Sequence, residues 1–415
     1  MGGNARERGG FVTQCCRDQA TVKSSDRNHE AIAAGIGSLE ASFERNKDNT
    51  MLVKSFGPAC LAGITLSDWL VLLAENGFRI SPRYWGKVPF LTLSSAVTSL
   101  CRPVEQAMYG TQVRNVQPDP PVFILGCWRS GTTHLHNLLT VDDQFASPSM
   151  FQTMYPHTFL MSEAWLRPLL DLMTPSKRFM DNMHQGLREP HEDEMALAIM
   201  SLRSNMLSWA FPRNETRYDR FLDFHDVSQH DREVWKRCLE LFVRKVTVRT
   251  GRQLVLKSPN HTARIQLLRE LYPAARFLNI RRHPYDVFRS MCHMASKVQP
   301  VWGLQTMDPA DIPEMVINTY KRLYDAYLEQ KVSVPEGHLH EIAYEDLVAR
   351  PVDVLEQAYG ALGLDGFEAA KPQLESYVAE QSSYQRNRHA ELPDDDVERL
   401  KREWGRYFEA LGYDC

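Results

Sequence analysis

The feature that most limits what this chain can fold into is the run VFILGCWRSGTTHLHNLL at residues 122–139. Four apolar residues, Val122 to Leu125, follow the proline-rich approach QPDPP and stop at Gly126, and a segment of helical character opens at Thr132. That order reads as buried strand, glycine loop, helix. The same logic places further strands at Gln253–Lys257, Arg276–Ile280 and His338–Tyr344. Short apolar strands separated by helical segments predict a mostly parallel sheet covered on both faces.

In the loop Gly126-Cys127-Trp128-Arg129-Ser130-Gly131-Thr132-Thr133, backbone N–H groups and the positive end of a helix converge on one anion. Its G-x-x-x-x-G spacing is that of a nucleoside-triphosphate loop, but Thr132 stands where the lysine after the second glycine belongs. Without that lysine the loop lacks its cation for β- and γ-phosphates. Arg129 offers instead a planar, permanently charged fork for an anion with equivalent oxygens, such as a phosphosulfate. The strand at 276–280 runs into Arg281 and Arg282 and not into a carboxylate, so a magnesium–triphosphate site is poorly supplied. The plainer alternative is a glycine turn that only packs helix on strand. The fold class expected is α/β, a P-loop-like three-layer fold whose central, mostly parallel sheet is flanked by helices.

The stretch ILGCWRSGTTHLHNLL resembles the 5′-phosphosulfate loop of sulfotransferases that use 3′-phosphoadenosine-5′-phosphosulfate (PAPS) as donor. A second block, LNIRRHPYDVFRS, is similar to that family's 3′-phosphate motif, in which an arginine closing a strand and a serine eight residues later clamp the phosphate. Arg282 and Ser290 occupy those positions. The residues themselves agree: Pro284 suits a first helical turn and Asp286 complements a helix N-terminus, which puts Ser290 about two turns along. Two further blocks, REPHEDEMAL and LVLKSPNHTARIQLL, look like segments of the large, diverse branch of the family common in bacteria, and the likeness spans about residues 119 to 412. The resemblance implies PAPS as donor co-substrate, held by Arg129, Ser130, Gly131, Thr132, Thr133, Arg282 and Ser290. It also implies that Arg386 and Arg388 lie in a late loop closing over the nucleotide. One departure is His134, where cytosolic members often carry an adenine-stacking tryptophan.

Sulfuryl transfer, like phosphoryl transfer, is a loose in-line displacement whose catalysis consists mainly of positioning and electrostatics. It asks for a base at the acceptor and a cation at the oxygen of the leaving nucleotide, and for no metal. Arg129 and Lys257 are the expected cations, Lys257 because it ends a strand at the edge where parallel sheets keep their sites. A snorkelling lysine at a strand end is its plainer reading. For the base the chain offers Glu192 and Glu194 in PHEDEMAL, with His191 and His261. Glu192 is placed first and His261 second, although Glu192 also suits an N-terminal helix charge and His261 a helix cap.

Three segments are expected: a polar, disordered tail at 1–50, a helical lead-in or cap at 51–118, and a sulfotransferase-like α/β domain at 119–415. In the lead-in, Leu66, Trp69, Leu70 and Leu73, and then Leu93, Val97 and Leu100, recur at helical spacing, interrupted by Gly77, Pro82 and Pro89. The 48 Lys and Arg against 52 Asp and Glu argue against nucleic acid as a partner. Eight cysteines without a C-x-x-C pair predict a reducing compartment and no structural zinc. The N-terminus lacks the apolar run of a secretory signal, and Arg6 departs from the myristoylation pattern. The longest apolar stretch, Pro58 to Ala74, contains Ser67 and Asp68 and is shorter than the roughly 20 residues of a membrane span. A cytoplasmic protein with no transmembrane segment is the expectation.

The reaction expected is sulfuryl transfer from PAPS to a hydroxyl or amine of a small-molecule, lipid or glycan acceptor. Met150, Phe151, Met154, Tyr155, Phe159, Met161 and Trp165 are either its pocket walls or core. Two alternatives stand beside it: a kinase-like, ATP-dependent phosphotransferase, and a nucleotide-binding scaffold without catalysis.

Overall fold

The computed structural model describes residues 61–172, 186–381 and 392–415. The polar segment at 1–50 lies outside the described residues, as do Arg386 and Arg388.

Five strands form one sheet in the order β2-β3-β1-β4-β5, and every neighbouring pair is parallel. They are β1 (Val122–Leu125), β2 (Phe145–Ala146), β3 (Gln253–Lys257), β4 (Arg276–Arg281) and β5 (Leu339–Ala343). The run of apolar residues in β1 has a simple cause. Phe123 and Leu125 enter one hydrophobic cluster with Leu256 and Phe277, whereas Val122 and Ile124 enter the other with Val255, Leu278 and Ile280. Side chains alternate across a strand, and both faces here are buried. The expected α/β, P-loop-like class is the class observed. The two-residue β2 on the sheet edge was not read from the sequence, because two residues carry no periodicity.

Numbered in chain order, the helices that matter for the site are α1 (Leu66–Glu75), α2 (Lys87–Asn115), α3 (Thr132–Leu139), α4 (Glu194–Ser201), α5 (Pro284–Trp302) and α6 (Ile312–Lys331). Thr65 caps α1 by accepting from Asp68 N at 3.2 Å. Pro284 opens α5 and Asp286 sits in its first turn, where the missing N–H costs nothing and the charge meets the helix dipole. Pro89 does not end the lead-in helix: it falls in the first turn of α2, which continues for 29 residues through Pro103.

The strand order itself selects the site. The chain leaves β1 for β2 on one side, returns through β3 beside β1 and then crosses to β4 on the other side, so the crevice outside the carboxyl ends of these strands is where a ligand fits in an open parallel sheet. The glycine loop, Lys257 and Arg282 all follow those ends.

Candidate active site

The loop between β1 and α3 is held open by backbone that ordinary residues avoid. Gly126 has φ +138° and Gly131 φ +103°, and Arg129 between them is a non-glycine residue at φ +68°. A Cβ on Gly126 would overlap the Ile280 carbonyl, and one on Gly131 would overlap the Tyr344 ring. Gly126 N donates to Thr262 Oγ1 at 2.7 Å, which ties the loop to the segment after β3. Strain of this kind persists where surrounding structure over-determines it.

The two anion motifs meet in space. Arg129 Nε donates to Ser290 Oγ at 2.9 Å, joining the loop to α5, and Arg282 Nη1 donates to Arg129 O at 3.1 Å. The Arg282 guanidinium lies over the Tyr344 ring, 4.4 Å from its centroid. Arg282 Nε is buried without a hydrogen-bond partner, a donor that an anion in the crevice would satisfy. Ser130 is turned away from this convergence: its N–H and its hydroxyl both reach Cys127 O, at 3.2 and 2.7 Å. It shapes the loop through that carbonyl. Thr132 and Thr133 supply the first N–H groups of α3, which have no carbonyl of their own helix to bond.

Three consecutive acids face three basic side chains, Lys257 at the end of β3 and His261 and Arg264 in the block after it. Glu192 Oε1 accepts from Lys257 Nζ at 2.7 Å, Asp193 Oδ2 meets His261 Nε2 at 2.6 Å, and Glu194 makes two bonds to Arg264, at 2.6 and 3.0 Å. Burial separates the first acid from the other two. The Glu192 side chain is 20% exposed, whereas those of Asp193 and His261 are at 0%, and Glu194 and Arg264 are at 1% and 0%. Only the first pair borders the loop, where Lys257 Nζ also reaches Thr133 Oγ1 at 3.4 Å. The short helical turn at 259–263, capped by Ser258 on Asn260 N, gives His261 and Arg264 their inward direction.

These surroundings set protonation. Burial alone would raise the Asp193 carboxyl, yet the charge and hydrogen bond of His261 hold it below the usual carboxylate range. His136, buried on α3, is pushed down to about 3 by burial first and the Lys257 charge second. Its Nε2 bonds Ser147 Oγ at 2.6 Å. It therefore stays neutral beside the lysine.

The structure brings Arg129, Thr133, Lys257, Glu192, Arg282 and Ser290 to one crevice. His261, the second choice of base, has no exposed surface: its Nε2 is taken by Asp193, and its ring lies edge-on to Phe123 with centroids 5.3 Å apart. Of the apolar residues weighed as pocket walls, Phe151 and Phe159 are fully buried in the core and Trp165 is 57% exposed. Sequence reasoning missed Tyr344, which backs Gly131 and carries Arg282, and it missed that Asp193 and Glu194 are anchors. The offsets of four and then three residues between Lys257, His261 and Arg264 in KSPNHTAR were a usable sign of the second.

The model of the sulfotransferase family matches residues 120–369. The chain belongs to the sulfotransferase family. It is 35% identical over 353 residues to the omega-hydroxy-beta-dihydromenaquinone-9 sulfotransferase Stf3 of Mycobacterium tuberculosis (strain CDC 1551 / Oshkosh), covering 85% of this chain and 90% of that protein. The same values hold for Stf3 of Mycobacterium bovis. Among solved structures, sulfotransferase STF9 from Mycobacterium avium superposes with a TM-score of 0.63 at 19% identity, covering 83% of this chain and 90% of that one. STF1 from Mycobacterium tuberculosis gives 0.60 at 18%, covering 82% and 92%. At those identities the structures speak for the fold. The protein is an enzyme of the sulfotransferase class, as the two anion motifs implied, which sets aside the phosphotransferase and scaffold alternatives.

Proposed function

We propose that this sulfotransferase moves a sulfuryl group from PAPS to a hydroxyl of a lipid-like acceptor, with Glu192 as general base and Lys257 as the cation at the leaving oxygen. The Lys257–Glu192 pair beside Thr133 carries this reading, because it sets a proton acceptor and a cation side by side at the phosphosulfate loop. The residues fit the donor. The left-handed glycines keep the loop open to a bulky anion, the N-terminal N–H groups of α3 face the 5′-side, and Arg282 and Ser290 stand ready for the 3′-phosphate.

In this mechanism Lys257 leaves Glu192 for the oxygen bridging phosphorus and sulfur when the donor binds. Glu192, relieved of its partner, takes the proton of the acceptor hydroxyl as that oxygen bonds to sulfur. The bridging S–O bond breaks, its electron pair stays on the phosphate of adenosine 3′,5′-bisphosphate, and Lys257 and Arg129 offset the charge. The cations required are side chains, so no metal is called for. His261 is no longer proposed as base, since it is sealed from the crevice. The acceptor class rests on the mycobacterial relatives, whose names describe a hydroxylated menaquinone derivative.

The test is calorimetric titration of adenosine 3′,5′-bisphosphate, with ATP plus Mg²⁺ as competitor, followed by turnover kinetics on hydroxylated menaquinones. Arg282→Ala should weaken bisphosphate binding by roughly 10- to 100-fold, the worth of a charge-assisted contact. Glu192→Gln should lower kcat by about 10²- to 10⁴-fold with bisphosphate affinity kept. Binding of ATP in place of the bisphosphate would remove the donor assignment, and full activity in Glu192→Gln would remove the base.

A further inference from the structure

The longest helix of the lead-in presents its apolar face outward. On α2, Phe90, Leu93, Val97, Leu100, Val104 and Met108 are between 38% and 74% exposed, Leu100 the most. Their spacing of three and four residues puts all six within about 80° of arc at 100° per residue. From Phe90 to Met108 the stripe runs about 27 Å at 1.5 Å per residue. Apolar periodicity ordinarily marks the side of a helix turned to the core, but here the core side is made by Leu91, Ser95, Thr98 and Val113. Contiguous exposed apolar surface of this extent marks an interaction site.

The charges around the stripe indicate what covers it. Every charged residue of 61–115 that is exposed is an arginine: Arg79, Arg83, Arg102 and Arg114. The only carboxylate of α2, Glu105, is buried and paired with Lys245 at 2.6 Å. None of the arginines interrupts the stripe, and Arg83 and Arg114 flank its two ends. Before the helix begins, Phe78 and Trp85 are 64% and 62% exposed, with Trp85 Nε1 donating to Ile80 O at 3.1 Å. Apolar side chains along one face, aromatic rings at the entry and basic ends are the composition of a helix that lies in the headgroup layer of a bilayer. No described helix is long and apolar enough to cross a membrane.

We propose that α2 is a membrane-docking helix that lays its Phe90–Met108 stripe into the boundary between headgroups and acyl chains of an anionic bilayer. The occupant is a lipid surface carrying negative headgroups, because every fully exposed charge of residues 61–115 is an arginine, while Asp68 and Glu75 are half-buried. The inference stands on the exposed face; it also deepens the proposed lipid-like acceptor, since an enzyme that modifies a bilayer-dissolved hydroxyl has to meet the bilayer.

The test is flotation of the full-length protein with acceptor-free vesicles, of phosphatidylcholine alone or with phosphatidylglycerol added. Wild type should float with the anionic vesicles, less with the neutral ones, and less again as salt is raised. Leu93→Glu combined with Leu100→Glu should cut the bound fraction at least about tenfold with an unchanged melting midpoint, because both positions are exposed. Wild type remaining unbound at low salt, or a variant that floats equally well, would overturn the proposal. So would a dimer that the double substitution converts to monomer without any vesicle binding, which would assign the stripe to a second copy. Turnover on a water-soluble, short-chain hydroxylated menaquinone analogue is measured separately, so failure of the acceptor reading and failure of docking give different results.

Discussion

Replacing Glu194 by glutamine removes one charge from a pair that has no contact with water. Glu194 Oε2 and Oε1 accept from Arg264 Nη1 and Nη2, and Ser204 Oγ donates to Oε1 at 2.5 Å. The substitution keeps the volume but leaves the buried guanidinium facing a neutral amide, a change that costs roughly 3–5 kcal/mol. The lower half of that range is favoured by what remains: Arg264 still donates to the Leu222 and Phe221 carbonyls, and it lies 5.0 Å from the Phe224 and Trp235 ring centroids. A domain of this size changes its unfolding free energy by roughly 0.7 kcal/mol per degree, so the melting midpoint should drop by about 4 to 6 °C. Urea unfolding checks the free energy directly. Glu194→Gln with Arg264→Met should recover part of the loss, because it removes the stranded cation. A single-variant loss below about 1 kcal/mol, or a double variant as unstable as the two losses added, would show that the pair is not a unit. Below the melting range kcat should fall, by up to about a hundredfold, because Glu194 anchors the start of the helix that follows Glu192.

Gly131→Ala should abolish bisphosphate binding in calorimetry while the chain still folds, since a Cβ there meets the Tyr344 ring on a residue at φ +103°; retained affinity would show that the loop can relax. Stability should fall as pH drops from about 6.5 towards 3, because His136 and His157 are both held neutral with values pushed down to about 3, chiefly by burial. In that window each histidine gains a proton on unfolding, giving a slope of about 1.4 kcal/mol per pH unit apiece, complete above the unfolded value and lost progressively below it. Acid titration of the melting midpoint should therefore be shallower in His136→Gln, and an unchanged slope would count against the buried neutral imidazole.

How much of this was legible in the sequence differs from element to element. The strand at Val122–Leu125 and the one at Gln253–Lys257 were read to their observed ends, because a short apolar run bounded by turn residues has few other uses. The loop was readable because anion binding by backbone N–H groups demands a local order of strand, glycine and helix, whereas the Arg282–Ser290 spacing came from the family resemblance. Glu192 and Lys257 were each picked out without the knowledge that they touch.

The sequence by itself determined four of the five strands, the glycine loop and the family, since each is carried by a run of residues close together in the chain. Only the tertiary structure decided which acid faces the crevice. The sequence placed Glu192 first among the bases but offered no packing reason to separate it from Asp193 and Glu194; it is the packing of the segment after β3 that buries those two against His261 and Arg264 and leaves Glu192 beside the loop. The same holds for α2, whose apolar period is plain in the sequence although its outward direction is not. Periodicity says that a helix has two faces, and only the neighbours it packs against say which face remains for a partner.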